Sequence, residues 1–201
     1  MDSKQNIIEQ ALALFLKNGV KSVNMDEVSS NLGISKKTLY MHVNNKQDLV
    51  QQCFELHTQK VTHVIHQSSQ KFDNAIDELF AIDEAVSIIM KQTNPYTLSE
   101  LKRYYPQTWL LVEDFKKKVL FDILNNNLHK GMMQGLYREN LNPDIIAKLM
   151  LSRTDVLIND DIFPLTKYNF KDLLKENRIY HIRGIATTTG INYLEKKINE
   201  N

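Results

Sequence analysis

The sequence has little that would bend or cross-link a chain. One cysteine, Cys53, in 201 residues excludes an intramolecular disulfide framework and a Cys-based zinc cluster, and fits a reducing compartment. Six glycines and four prolines leave too few turn formers for an all-β meander or a doubly wound sheet. No apolar run approaches the roughly 18 residues of a membrane-spanning helix, and the opening MDSK shows no signal-peptide apolar region. A cytoplasmic protein without a membrane segment is expected. Neither charge is in excess: 25 Lys and Arg stand against 24 Asp and Glu, net +1, so any basic surface has to be local. What is present is 42% hydrophobic residues, ordinary for a chain with a buried core, and abundant Leu, Ile, Lys, Asn and Gln. The expected fold class is all-α, with no metal site and no cofactor.

The apolar period supports this along the chain. Ile7, Ile8, Ala11, Leu12, Leu14 and Phe15 give a one-sided helix over 3–18, stopped by Gly19. Asn24 and Glu27 form a capping box flanked by Val23 and Val28, which starts a second helix that Gly33 ends. Ser35 is the N-cap of a third, over about 36–42, and Asn45 that of a fourth, with Asp48 in its first turn, running to about residue 66. Further helical periods cover 71–93, 98–105, 107–134, 143–158 and 170–198, the last interrupted near 184–190. Breaks fall at Asn94-Pro95, Tyr105-Pro106, Asn142-Pro143 and 160–166. The expected domains are 1–46, three short helices, and 47–201, a larger helical bundle.

Chemistry concentrates in Met25 to Val43. Two short helices joined by a tight glycine turn, with Val28, Leu32, Ile34 and Leu39 inward and Ser29 where the helices cross, have the layout of a helix-turn-helix. The outward face of the third helix offers Ser35, Lys36, Lys37, Thr38, Tyr40 and His42, hydrogen-bond donors suited to phosphates and base edges in a major groove. Lys46 adds a cation at the next helix N-terminus, where backbone N–H groups attract phosphate. Residues 31–47 hold three lysines and no acid, a local +3.

These residues also resemble a family. Phe15 and Gly19, Val28, Gly33-Ile34-Ser35, Thr38-Leu39-Tyr40, His42-Val43, Lys46 and Leu49, within Ile7 to Leu49, are similar to the N-terminal domain of TetR-type transcriptional regulators. Asn24, Leu32 and Val43 stand where that family more often has Thr, Ala and Phe. The resemblance implies a homodimeric, all-α, ligand-responsive repressor. Its two N-terminal domains would read a palindromic operator in double-stranded DNA, through Lys36, Lys37, Thr38, Tyr40 and His42 with Ser35 and Lys46 on phosphates. Gly135 to Pro143 and Arg183 to Ala186 look like junctions of the C-terminal domains of that family.

In the larger bundle, residues 145–158 are apolar nearly all round, through Ile145, Leu149, Met150, Leu151, Val156, Leu157 and Ile158. A helix of that kind needs a second neighbour, either more of its own core or the same helix and the 170–185 helix of another subunit, paired across a two-fold axis. For a small-molecule effector, polar groups on apolar stripes are the candidates. Asp83 falls within about 80° of arc with Phe72, Ile76, Leu79, Val86 and Met90, and His57 lies among Val50, Cys53, Phe54, Val61 and Val64. Tyr104, Tyr105 and Trp109 near Pro106 are aromatic candidates for the same cavity, an ordinary core cluster being the alternative. An enzyme would need a nucleophile or a metal constellation, and none is found. The competing reading is a helical scaffold without a DNA role, which has no reason to keep an acid-free donor face over 35–46.

Overall fold

The computed structural model describes residues 4–164 and 166–199; the expected helix start at Ser3 lies outside them. The chain is helical throughout, with one isolated antiparallel bridge between Tyr137 and Ala186 and no strand among the described residues. The helices are α1 (Lys4–Asn18), α2 (Met25–Leu32), α3 (Lys36–Tyr40), α4 (Lys46–Ser69), α5 (Ala75–Lys91), α6 (Thr97–Tyr104), α7 (Pro106–Phe115), α8 (Phe121–Met133), α9 (Pro143–Leu157), α10 (Phe170–Ile185) and α11 (Thr188–Asn199). None is long and apolar enough to cross a membrane among the described residues.

Two packing units divide the chain. The first takes the residues up to Thr62 together with Ile89–Phe115, and the second takes His63–Ile88 and everything from Lys116 onward. In the first, the inward faces of α1 (Ile7, Ala11, Leu12, Phe15), α2 (Val28), α3 (Leu39) and α4 (Leu49, Val50, Cys53, Phe54) close on one core that also holds Leu101 of α6. Local chemistry sets the turns. Gly19, at φ +86, ends α1 in a left-handed conformation that other residues adopt at a cost. Its α face is also crowded, because a side chain there would meet the Glu100 carboxylate at 2.9 Å.

Some helix limits differ from the sequence expectation, for local reasons. α3 ends at Tyr40 rather than His42, since the His42 N–H turns back to the Leu39 carbonyl at 3.0 Å. α5 begins at Ala75 rather than residue 71, because Asn74 Oδ1 accepts from Ile76 N–H at 2.8 Å and so caps the helix there. Phe72 therefore lies outside α5 and is exposed rather than part of its apolar stripe. The expected helix over 107–134 is α7 and α8 joined by a π-helical turn, Lys116–Leu120.

The second unit is built on Ile76 and Leu79 of α5, Leu124 and Leu128 of α8, Ala147 and Met150 of α9, Ile179, Ile182 and Ile185 of α10 and Leu194 of α11. Tyr137 is fully buried, its hydroxyl donating to Asn127 Oδ1 at 3.2 Å. Its ring lies where a side chain on Gly131 would stand, 2.1 Å from the nearest ring carbon. Gly131→Ala is therefore expected to force the ring aside and lower stability by about 1–3 kcal/mol, read as a fall in urea midpoint with unchanged helical circular dichroism. α9 buries Ala147, Met150 and Leu157 but leaves Ile145, Leu149 and Val156 exposed, at 52%, 56% and 41%. The helix is thus buried on one side only.

Candidate nucleic-acid interface

The helix-turn-helix is assembled by its caps. Asn24 Oδ1 accepts from the N–H groups of Asp26 and Glu27 at 2.9 and 3.0 Å, and Glu27 returns a carboxylate to the Asn24 N–H at 2.9 Å, closing the capping box. Gly33, at φ +66, ends α2. Ser35 then caps α3, its Oγ accepting from the Thr38 N–H at 3.0 Å and lying 2.8 Å from the Thr38 hydroxyl. Leu39 and Val43, both buried, fasten α3 from beneath. α4 starts on Asn45, whose Oδ1 accepts from the Asp48 N–H at 2.9 Å.

On this frame Ser35, Lys36, Lys37 and Tyr40 are exposed, and Thr38, His42 and Lys46 are half-buried. Their surroundings differ from a bare donor face in two ways. The Lys36 ammonium sits 2.9 Å from Asp26 of α2, and that carboxylate raises the lysine pKa. The acid-free run of 31–47 thus acquires an acid in space, from outside the run. Lys46 donates to the Lys21 carbonyl at 3.2 Å and lies over the Tyr105 ring at 5.8 Å, and burial lowers its pKa. The Lys37 ammonium has no partner among the described residues. Sequence reasoning missed Met41, 76% exposed between Tyr40 and His42. The signal available was its place one residue past α3, where the helical period no longer turns it inward.

The candidate effector residues do not all fall in one unit. His57, Tyr105 and Trp109 belong to the first, where Tyr105 and Trp109 pack on the core and Lys102 stands over the Trp109 ring at 5.8 Å. His57 meets Phe54 edge-on at 5.7 Å, and burial, with Lys60 adding to it, pushes its pKa down to about 4. Asp83 belongs to the second unit and finds an internal partner. Arg178 Nε donates to its Oδ2 at 2.7 Å, and Arg178 Nη2 takes the other oxygen. In the same unit His181 is 5% exposed and held down to about 3 by burial, then by Arg178 and Arg153.

Both histidines are neutral in the folded chain and would charge on unfolding below their ordinary 6.5. The unfolded state therefore binds more protons in that range, so their stabilisation is whole above about 6.5 and drains as pH falls toward 4, by up to about 1.4 kcal/mol per pH unit each. Urea midpoints measured from pH 7 to pH 4.5 should fall, and less steeply in His57→Gln.

The family described as bacterial regulatory proteins, tetR family, matches residues 7–53, the span from α1 into α4. That match covers the helix-turn-helix and the helices on either side of it, less than half of the chain. Among curated relatives, the HTH-type transcriptional regulator AcrR of Shigella flexneri is 26% identical over 92 residues, 46% of this chain and 42% of AcrR. The match thus spans about two fifths of that relative's length. YhgD of Bacillus subtilis, an HTH-type transcriptional regulator, is 24% identical over 198 residues, covering 92% of this chain and 98% of its own. Among solved structures, a transcriptional regulator from Saccharomonospora viridis in complex with choline superposes with a TM-score of 0.77 at 15% identity, over 92% of this chain and 97% of that one. The TetR family transcriptional regulator PfmR of Thermus thermophilus superposes with a TM-score of 0.64 at 19% identity, over 88% of this chain and 97% of that one, which shows a shared TetR fold with the helix-turn-helix at the N-terminus and a helical remainder, as the sequence implied. Both curated relatives are HTH-type transcriptional regulators. Among the described residues of this chain no group of three or more His, Cys, Asp or Glu side chains is placed to hold a metal ion.

Proposed function

We propose that this chain is a cytoplasmic one-component TetR-family repressor that binds a palindromic operator in double-stranded DNA as a homodimer and leaves it when a small-molecule effector binds. Residues 1–46 are the DNA-reading part, and 47–201 dimerise and take the effector. The observation that carries the reading is the outward face of α3 and the start of α4. Lys37 is unpaired, Tyr40 is 44% exposed, and Lys36, Thr38, His42, Ser35 and Lys46 surround them on a short helix pinned by Leu39 and Val43. In this reading Lys36, Lys37 and Lys46 neutralise phosphates. Tyr40 and Thr38 give hydroxyls to phosphates or base edges, His42 adds a ring N–H, and Ser35 chiefly sets the start of α3.

Homodimerisation is supported by the unpartnered side of α9. Two helix-turn-helix units on a two-fold axis meet successive major grooves when their recognition helices stand roughly 34–36 Å apart. The effector candidates are His57, Tyr105 and Trp109, together with Asp83, whose pair with Arg178 offers a ligand either a carboxylate or a guanidinium. That the structural neighbour from S. viridis holds choline supports a small organic effector. α4, a single helix of 24 residues, carries the DNA-reading part directly and would transmit the change, as far as the effector distinguishes the bound and released states.

The test is a gel shift with the DNA flanking the chain's own gene. A retarded band that survives excess random DNA, and that an added metabolite pool disperses, is expected. Equal retardation of random and flanking DNA would end the operator reading, and absence of any shift would favour a scaffold.

A further inference from the structure

On the face formed by α9 and α10, the ionic groups do not balance. Arg178 takes both oxygens of Asp83, the only acid it pairs with among the described residues. Arg153 of α9 has no carboxylate partner among the described residues. Its Nη2 donates to His181 Nδ1 at 2.6 Å, which leaves the proton of that neutral ring on Nε2. Both Arg153 Nε and His181 Nε2 are buried without a hydrogen-bond partner. A guanidinium has five donors, and leaving the buried Nε–H of this one unmet costs free energy. The Arg153 group is nevertheless held in one orientation, over the Tyr180 ring at 5.6 Å.

The same face carries an acid with nothing to bind. Glu176 of α10 is exposed and has no ion pair or hydrogen bond among the described residues. Arg183 is the other cation there, and it is already paired with Glu195 at 2.8 Å. Glu176 and Arg153 both line a shallow cavity of about 710 Å³ with Leu149, Tyr180, His181 and Ile146. Around it stand the exposed apolar groups of the two helices, Ile145, Leu149 and Val156 with Tyr180 at 73% exposure.

Among the residues lining this cavity, one cation and one acid are thus uncompensated, which is what a self-complementary surface requires, since across a two-fold axis residue i meets j while j meets i. We infer that Glu176 of the partner subunit supplies the missing carboxylate of Arg153, so that a homodimer built on α9 and α10 closes with two Arg153–Glu176 pairs, each bridging the subunits. This rests on the homodimer reading above and adds the pair that fixes its register. The dimer leaves no unpaired charge among the residues lining that cavity, and the apolar groups are covered in the same step. Removing either charge leaves the other desolvated, which is why such pairs set partner choice more than bulk affinity.

Charge reversal in the full-length chain tests the pairing. Arg153→Glu and Glu176→Arg, purified separately, each place like charges at both crossings, so each is expected to sediment mainly as monomer at micromolar concentration, with the dimer dissociation constant raised at least about a hundredfold. Mixed in equal amounts they should form a heterodimer, because both crossings again join a cation to a carboxylate. The doubly reversed chain should dimerise by itself. Glu176 is exposed, so its reversal leaves the fold intact and gives a result even if the Arg153 variant misfolds. Wild-type-like self-association of Glu176→Arg overturns the pair. So does weakening in both variants that mixing does not repair, since a pair formed within one subunit would be rescued in the doubly reversed chain but not in the mixture. Either result leaves the homodimer standing. A wild-type chain that is monomeric at the same concentration overturns the homodimer itself.

Discussion

Replacing Lys36 and Lys37 together by Ala is expected to flatten the dependence of log affinity on log salt by up to about 3.6, from a starting slope of about −5. The starting value comes from three lysines on each of two chains, roughly 0.9 per neutralised phosphate on duplex DNA. The two substitutions delete four cations per dimer, and affinity should drop for specific and random DNA alike. The structure divides that loss unequally. Lys37 is free to meet a phosphate, whereas Lys36 must first leave Asp26 at 2.9 Å, and the carboxylate it leaves then faces the DNA. Lys37→Ala should therefore cost more than Lys36→Ala, and Asp26→Asn should tighten binding to any duplex while leaving sequence preference alone. If Lys37 instead pairs with guanine, its loss costs about 1–3 kcal/mol on the cognate site and relaxes the preference there. Fluorescence anisotropy across a salt series reads all four variants. An unaltered slope in the double variant, with native circular dichroism, removes this face as the DNA-reading surface.

Leu149→Glu is expected to yield a folded monomer with operator affinity lost to the level of a half-site. The wild-type chain should sediment at twice its 23.4 kDa mass, and the variant at that mass. Leu149 is 56% exposed, so a glutamate there is solvated in the monomer and disturbs nothing within the subunit. In the proposed dimer the same carboxylate is desolvated without a partner, twice about the axis, at roughly 2–5 kcal/mol each. That moves the dimer equilibrium by at least about a thousandfold. DNA binding follows, because a single helix-turn-helix holds half of a two-fold site. Met150→Glu is a poorer probe of the interface: Met150 is buried in the second unit's core, so a carboxylate there destabilises the subunit itself. Dimeric Leu149→Glu with wild-type operator affinity would place the interface elsewhere.

How much of this could be read before any coordinates depended on the span of the interaction. The helix starts at Asn24, Ser35 and Asn45 rest on bonds between residues two or three apart, and the stops at Gly19 and Gly33 on the backbone freedom of one residue. Helical period and short-range capping therefore placed the helix-turn-helix within a residue or two. The same local evidence suggested that α9 had apolar groups on every side, though not which side would be left open. Asp83 was recognisable as a carboxylate on an apolar stripe, but its partner is 95 residues away, and no periodicity carries that information.

The amino-acid order alone determined the all-α class, the helix-turn-helix and the donor residues along α3. Each follows from composition or from contacts within a turn of helix, where geometry is nearly the same in any protein. Tertiary structure alone decided what those residues face. It brought Asp26 to Lys36, turned Lys46 onto the Lys21 carbonyl, gave Asp83 to Arg178, and left Arg153 without an acid while Glu176 stood unpaired. Electrostatic partnership is set by distance and burial in space, and both are fixed only when helices distant in sequence pack into one core.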